Sequence, residues 1–366
     1  MRGLMKKGLA IGTAFVMLFS FSGNTAIAAS ESDVRLQCSI LDQNQANKIS
    51  EYLEDCIVRK YEGYYSFDDF RVIFHNEQYL DDTYSVDVDV IADMTLIRKP
   101  EDSAVVRGMK QEVQKLAATR QNNMAQQVLD NYLNEVSEYY NKPIETGFLF
   151  RVNIAAVTAD RVNITTDFDS FHRVDAEDGA ILTPASPNET FTEIGTEEDG
   201  KNLLSTEIAF LENRAVSYDK DKAVSYAVNN ATAEPEFSSA NGLGSDCANF
   251  VSKCINAGGI PIDNPGKWYP APSAGSYAGE NWMRTGYNKN GGVVPYMTDK
   301  GYFTSTTSGS ATLGSILYWN DKSHVALVTQ MDGYTIKYSQ HSSSAQSSTY
   351  FTYNSNQNIT FYKPIV

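Results

Sequence analysis

GSDCANFVSKCINAGG, residues 244–259, predicts a glycine-containing loop followed by a helix that begins with a cysteine. Asp246 is a favoured N-cap residue, which makes Cys247 the first residue of the helix. The residues three, four, seven and eight positions after Cys247 are apolar, which is the spacing of a helix face that packs into a core. Unpaired N–H groups and the helix dipole at this end favour an anion. We therefore expect the pKa of the Cys247 thiol to lie below its ordinary value.

A histidine stands in a second informative stretch, GSILYWNDKSHVALVTQMDGYTIKYSQH, residues 314–341. Two strand-like runs flank a polar turn, and the second run begins with His324 and ends at Asp332-Gly333, a hairpin signal. If these two residues form the loop, His324 and His341 face each other as a non-hydrogen-bonded pair with closely spaced side chains. A cysteine at a helix start, a histidine on a strand and a polar residue on the next strand form a nucleophile arrangement in which the histidine takes the thiol proton.

Residues 246–259 resemble the signature of the bacterial putative amidase domain family, which belongs to the papain-like cysteine hydrolases together with the NlpC/P60 and CHAP families. Gly314-Ser315 departs from the family, which usually has Gly-Asp there. The resemblance implies Cys247 as the nucleophile, His324 as the base and His341 as the third residue, with Gln340 as the alternate. Further stretches match in the family's order: residues 213–218, 223–227, 268–269, 281–282, 324–329 and 338–341.

The implied fold class is α+β. We expect a C-terminal papain-like (NlpC/P60-like) domain, with its nucleophile at a helix N-terminus packed on an antiparallel sheet, preceded by a smaller α+β domain. The boundaries are 1–28 for a signal peptide, 29–174 for the N-terminal domain, 175–206 for an acidic linker and 207–366 for the putative amidase domain. Patterning in the N-terminal domain predicts an element order similar to cystatin-like or NTF2-like modules: a helix at 42–60, a strand at 84–97, a helical region at 103–140 and strands at 147–156 and 160–168.

The N-terminus has the pattern of a secretory signal peptide. Basic residues precede an apolar run at 8–21, which is too short to span a membrane as a helix, and Ala26-Ile27-Ala28 supplies a cleavage site. We expect cleavage after Ala28, no stable membrane insertion afterwards, and a secreted, extracellular or cell-wall-associated protein. Cleavage changes the formal net charge from -15 to -18, because Arg2, Lys6 and Lys7 are lost. No basic patch for nucleic acid is visible, so we expect no nucleic-acid partner.

The positions of the four cysteines limit which disulfides and metal sites the chain can form. Cys247 and Cys254 lie seven residues apart on one helix, about 10 Å along its axis, which is too far for a disulfide. Cys38 and Cys56 are left either free or paired with each other. The sequence has no CxxC, no HExxH and no His/Cys cluster at ligand spacing, so we expect no metal and no other cofactor.

Four further residues are candidates for substrate binding. Asn241 and Asp246 precede the nucleophile and are candidates to complete an oxyanion hole, although the pattern favours a plain N-cap role for Asp246. Trp268 and Trp282 fit either a groove for a peptide or a hydrophobic core.

Two functional hypotheses follow. One is an exported cysteine hydrolase that cleaves an amide bond in peptidoglycan peptide or a related peptide. The alternative is a catalytically silent extracellular binding module with a papain-like fold.

Overall fold

The computed structural model describes residues 33–80, 83–155, 170–211, 217–237, 244–273, 275–287 and 291–365. The predicted signal peptide at 1–28, the predicted strand at 160–168 and Asn241 lie outside these residues. Within them the architecture is α+β, as the sequence predicts.

The N-terminal part is one helix packed on three long antiparallel strands and on a short strand that pairs parallel with one of them. Helix α1 (Gln43–Lys60) begins with a capping box, in which the backbone N–H of Gln45 donates to the Asp42 carboxylate at 2.8 Å and the Asp42 N–H donates to Gln45 Oε1 at 2.8 Å. Its apolar face meets alternate residues of the strands, and together they form a core. The short strand is β1 (Asp33–Leu36), which pairs with β2 (Tyr65–Leu80), and the other two long strands are β3 (Thr83–Leu96) and β4 (Pro143–Ala155).

A second core holds three helices together. The predicted helical region at 103–140 consists of α2 (Ala104–Leu116) and α3 (Asn122–Ser137), and α4 (Glu197–Leu211) packs against both. Helices α2 and α4 approach each other at two glycines, since a Cβ on Gly108 would lie 1.9 Å from the Glu197 carbonyl oxygen and one on Gly200 would lie 2.0 Å from the Val105 carbonyl oxygen.

The segment predicted as an acidic linker, 175–206, is folded into this architecture. It contains the first ten of the fifteen residues of α4 and the strand β6 (Ile181–Pro184), which pairs with β5 (Phe171–Val174). Strand β5 in turn pairs with β4, with Val152 opposite Phe171. The tight turn at 175–180 between β5 and β6 points toward the C-terminal part.

The C-terminal part is an antiparallel sheet with helices. The helices are α5 (Lys220–Asn230), α6 (Cys247–Ala257), α7 (Glu280–Met283) and α8 (Val293–Asp299). The strands are β7 (Phe303–Thr306), β8 (Ile316–Trp319), β9 (Val325–Met331), β10 (Ile336–Ser339), β11 (Phe351–Thr352) and β12 (Ile359–Pro364). A parallel pairing of Phe351 in β11 with Gly147 in β4 joins the two parts, so the described strands form one sheet with the main order β1-β2-β3-β4-β11-β10-β9-β8-β12-β7.

The predicted register of the β9–β10 hairpin is wrong. Met331 pairs with Ile336, because the Asp332 carboxylate accepts hydrogen bonds from the N–H groups of Tyr334 (3.0 Å) and Thr335 (2.8 Å) and extends the loop to residues 332–335. A bulge then shifts the ladder, and Ser339 pairs with Leu327. A register that differs by one residue exchanges the faces on which side chains lie.

Two further findings concern the chain as a whole. Cys38 and Cys56 are free thiols, so the disulfide that the sequence left open is not formed. Among the described residues, none of the helices combines the length and the apolar character needed to cross a bilayer.

Candidate active site

Cys247 is the first residue of α6, and its side chain is buried (3 % exposed) against the loop that precedes β9. The thiol donates to the carbonyl oxygen of Ser323 at 3.9 Å, and the backbone N–H of Val325 donates to the sulfur. The sulfur therefore lies against the backbone on both sides of His324. Helix α6 is held in this place by its own apolar face, which packs on β9 as the sequence spacing predicts.

His324 is fully buried and is oriented by Gln340. Its Nε2–H donates to Gln340 Oε1 at 2.8 Å, while the amide nitrogen of Gln340 donates to Gln346 Oε1 at 3.5 Å. A carbonyl oxygen only accepts, so the proton of the neutral ring is on Nε2 and the lone pair is on Nδ1. Nδ1 has no hydrogen-bond partner among the described residues. The Trp319 ring packs edge-on against the imidazole, with centroids 4.5 Å apart.

His341, the sequence's first choice as third residue, lies away from His324. Extending the observed ladder by one pair puts Gln340 opposite Ala326, on the face of His324, and His341 on the other face. There the His341 ring donates from Nδ1 to Asp246 Oδ2 at 2.6 Å and from Nε2 to the Asn230 carbonyl oxygen at 2.7 Å. These two bonds tie the start of α6 to the end of α5.

Asp246 occupies the N-cap position, but its carboxylate serves this network. Oδ1 accepts from the Phe237 N–H at 3.1 Å and from the Asn249 side chain at 2.9 Å, while Oδ2 accepts from His341. The side chain is thus engaged away from the sulfur, and the oxyanion role considered for it has no support from these contacts.

The two tryptophans belong to the core. Trp268 and Trp282 are 0 % and 1 % exposed and pack on each other. Trp282 Nε1–H donates to Asn249 Oδ1 at 2.8 Å, and Trp268 Nε1–H donates to Ser252 Oγ at 3.3 Å. These bonds fix the orientation of α6. Trp268 and Trp282 therefore do not line a substrate groove.

A residue that the sequence analysis did not single out lies against the candidate pair. Glu177, in the turn at 175–180, has Oε2 3.3 Å from His324 Nδ1, and only 15 % of its side chain is exposed. Ser245 lies beside the same carboxyl, and its hydroxyl opposes the rise of the pKa of Glu177. The sequence signal at Glu177 is an acidic run, and such a composition predicts a linker, not a contact with the site.

Burial sets the direction in which the pKa values of Cys247, His324 and Glu177 shift. It raises the pKa of Cys247 to about 12, with the nearby Glu177 carboxylate adding to the effect, and it lowers the pKa of His324 to about 4. Burial, with the charges of Asp175 and Asp178, raises the pKa of Glu177 to about 8. The expectation of a depressed Cys247 pKa is therefore wrong for this state of the protein, which holds a thiol and a neutral imidazole at neutral pH.

Within the described ranges no group of three or more His, Cys, Asp or Glu side chains is placed to hold a metal ion.

One family model matches the C-terminal part of the chain. The model of the family described as "Putative amidase domain" matches residues 217–363, less than half of the chain. No curated protein and no solved structure matches the chain. The matched range includes Cys247, His324 and Gln340 and leaves out Glu177. The match suggests amide hydrolysis. The C-terminal part of the chain, residues 217–363, is thus similar to an amidase-domain family.

Proposed function

We propose that this chain is an exported cysteine hydrolase that cleaves an amide bond, with Cys247 as nucleophile, His324 as general base and Gln340 as the residue that orients the imidazole. The substrate class is peptidoglycan peptide or a related peptide, and the C-terminal part has a papain-like arrangement. The signal-peptide pattern of residues 1–28 supports export, and the family match supports amide hydrolysis.

One observation carries the catalytic assignment. The His324–Gln340 bond of 2.8 Å leaves the lone pair of Nδ1 unused, while the Cys247 sulfur contacts the backbone of the residues on both sides of His324. A base must present a free lone pair close to the proton that it removes, and here the ring is fixed so that Nδ1 is that atom. The resemblance to papain-like hydrolases supports the same chain order of cysteine, histidine and polar residue.

The chemistry follows from these positions. Nδ1 of His324 takes the thiol proton, and the Cys247 thiolate attacks the carbonyl carbon of the scissile amide. The C–N bond breaks, the imidazolium gives its proton to the leaving amine, and a thioester remains on Cys247. Water, deprotonated by Nδ1, then attacks the thioester and releases the carboxylic acid and the free thiol. Gln340 Oε1 accepts from Nε2–H throughout and so keeps the ring in one orientation.

The test is a cleavage assay with trapping of the acyl-enzyme. The mature chain is incubated with a digest of peptidoglycan and with a library of short peptides, and new amines and carboxylates are identified by mass spectrometry. Cys247→Ala and His324→Ala are expected to abolish cleavage, and acid quenching of the wild type is expected to yield a thioester adduct on Cys247.

Cys254→Ala is the matched control, because Cys254 lies on the same helix and is fully buried away from His324. It is expected to cleave like the wild type. Cleavage that survives Cys247→Ala would refute the assignment. If neither the wild type nor Glu177→Ala cleaves any amide, the silent binding module is favoured.

A further inference from the structure

The turn at 175–180 comes from outside the matched amidase-like range, yet it lies on the candidate catalytic pair. Glu177 Oε2 is 3.3 Å from His324 Nδ1, the one ring atom that the proposed mechanism needs free. Both Cys247 and His324 are almost completely buried in this arrangement. A substrate carbonyl has to reach the sulfur and Nδ1 together, and Glu177 stands where it would approach Nδ1.

Specific contacts hold the turn in place. Asp175 is 2 % exposed, and its Oδ2 accepts from Trp319 Nε1–H at 3.0 Å and from the Gln357 side chain at 2.8 Å. Lys322 forms ion pairs with Asp175 (3.3 Å) and Asp178 (2.8 Å). These partners lie in the C-terminal part, two of them within five residues of His324. The turn is therefore docked by its own anchors, and Glu177 is not a side chain that happens to fall inward.

Glu177 itself is poorly satisfied there. Its Oε2 lies 3.3 Å from His324 Nδ1, and neither of these two buried atoms forms a hydrogen bond of good geometry among the described residues. Buried polar groups are nearly always paired, so such a cluster indicates a site built to exchange one occupant for another. The anchors at Asp175 and Asp178 favour docking, and the unsatisfied groups around Glu177 oppose it.

We propose that the turn at 175–180 is an internal plug, which covers the Cys247–His324 pair and must leave before an amide substrate can bind. This inference rests on the proposed function, since it names the regulation of the same site. Departure of the turn breaks no covalent bond. It exposes Cys247, frees Nδ1 of His324 and leaves Lys322 without its carboxylate partners.

Proton binding by Glu177 makes the plug sensitive to pH. The groups that face this carboxyl are Asp175 and Asp178 on its own turn, Lys322 and His324 on the loop before β9, and Ser245 and Cys247 at the start of α6. The pKa of Glu177 is about 8 when docked and returns toward its ordinary value of 4.5 when the turn is released. Through Glu177 alone, the docked form binds an extra proton, and docking weakens as the pH rises from 4.5 to about 8. Release of the turn also lets the pKa of His324 rise from about 4 toward 6.5, so proton uptake by His324 offsets this effect at lower pH, and the net loss of docking falls between pH 6.5 and about 8.

The experiment measures alkylation of Cys247 by iodoacetamide in the full mature chain between pH 5 and pH 8, as a rate at that single cysteine by peptide mass spectrometry. Glu177→Ala is expected to react at least about tenfold faster than the wild type at pH 6, because loss of this side chain uncovers the sulfur and removes the carboxyl beside it, and each unit by which the pKa of Cys247 falls raises its thiolate fraction about tenfold. Glu177→Gln keeps the plug without its titration, so it is expected to remain slow. In the wild type, the logarithm of the rate is expected to rise about one unit more steeply per pH unit than in Glu177→Gln.

Glu198→Gln, which removes an exposed carboxylate on α4, is the charge control and is expected to match the wild type. Equal rates and equal pH slopes for wild type, Glu177→Ala and Glu177→Gln would overturn the plug. Faster alkylation of Glu177→Ala without amide cleavage would leave the plug standing and would count against the proposed function alone. Should Glu177→Ala fold poorly, the slope difference between the wild type and Glu177→Gln decides the question.

Discussion

The choice between Gln340 and His341 as orienting residue leads to the sharpest prediction about catalysis. Replacing Gln340 with Ala leaves the Nε2–H of a fully buried imidazole without its acceptor. An unpaired buried donor costs about 1–3 kcal/mol, which corresponds to roughly a 5- to 150-fold fall in kcat/KM if the cost appears in the transition state. The loss has a second source, because without Gln340 the ring also populates the tautomer with its proton on Nδ1, which is unable to act as the base.

Gln340→Glu separates orientation from simple structural damage. A carboxylate at this position stabilises the imidazolium and is expected to raise the pKa of His324 by about 1 unit or more, since an opposite charge within hydrogen-bonding distance favours the charged form. The acid limb of the kcat/KM profile is then expected to move to higher pH. Both variants are best measured in the Glu177→Ala background, where the plug does not contribute its own pH dependence.

His341→Gln is the matched control for this experiment. His341 donates to Asp246 and to the Asn230 carbonyl and packs its ring 4.3 Å from that of Phe250, so the variant is expected to lower thermal stability without moving the acid limb. If His341→Gln shifts the pH profile and Gln340→Glu does not, the reasoning from the observed hairpin register is refuted, and His341 becomes the orienting residue.

Three further predictions concern the scaffold. Lys337 is buried with a pKa lowered from 10.5 to about 8, so Lys337→Met is expected to stabilise the chain by about 3 kcal/mol at pH 7 in urea unfolding. Because the folded state binds fewer protons than the unfolded state between pH 8 and 10.5, this advantage shrinks across that window. Gly108→Ala places a Cβ 1.9 Å from the Glu197 carbonyl oxygen and is expected to cost about 1–3 kcal/mol despite better helix propensity, measured by the same unfolding experiment. Trp282→Phe removes the bond to Asn249 and is expected to lower the melting temperature while leaving KM within about twofold, since the ring is core and touches no substrate.

Local patterns in the sequence predicted the elements better than their connections. The helix predicted at 42–60 is α1 (Gln43–Lys60), and the helix beginning at Cys247 is α6, because apolar spacing and an N-terminal boundary residue specify each. The predicted register of the β9–β10 hairpin is wrong for a local reason that is hard to foresee. Asp332 bonds two N–H groups of its own loop and lengthens it, and the bulge after Lys337 shifts the remaining pairs.

The position of Glu177 could not be predicted from the sequence, for a different reason. Nothing within the acidic run at 175–178 indicates which distant surface it meets, since its partners Trp319, Lys322 and Gln357 are more than a hundred residues away in the chain. Acidic residues next to turn formers are typical of solvated segments, and composition alone favours a linker. Only the pairing of β5 with β4 and of β4 with β11 brings the turn to the site.

The same geometry explains why a cysteine at a helix N-terminus is unreactive in the docked state. Charge–dipole stabilisation at a helix terminus amounts to about 0.3–2 kcal/mol, or at most roughly 1.5 pKa units, whereas complete burial shifts a pKa by about 3–5 units in the opposite direction. With the turn docked, burial is the larger effect, and Glu177 adds a like charge to it. When the turn leaves, water reaches the sulfur and the burial effect decreases, while the position of Cys247 on α6 is unchanged. The reactivity that the sequence pattern predicts is thus a property of the open site, and the β5–β6 turn determines whether the chain displays it.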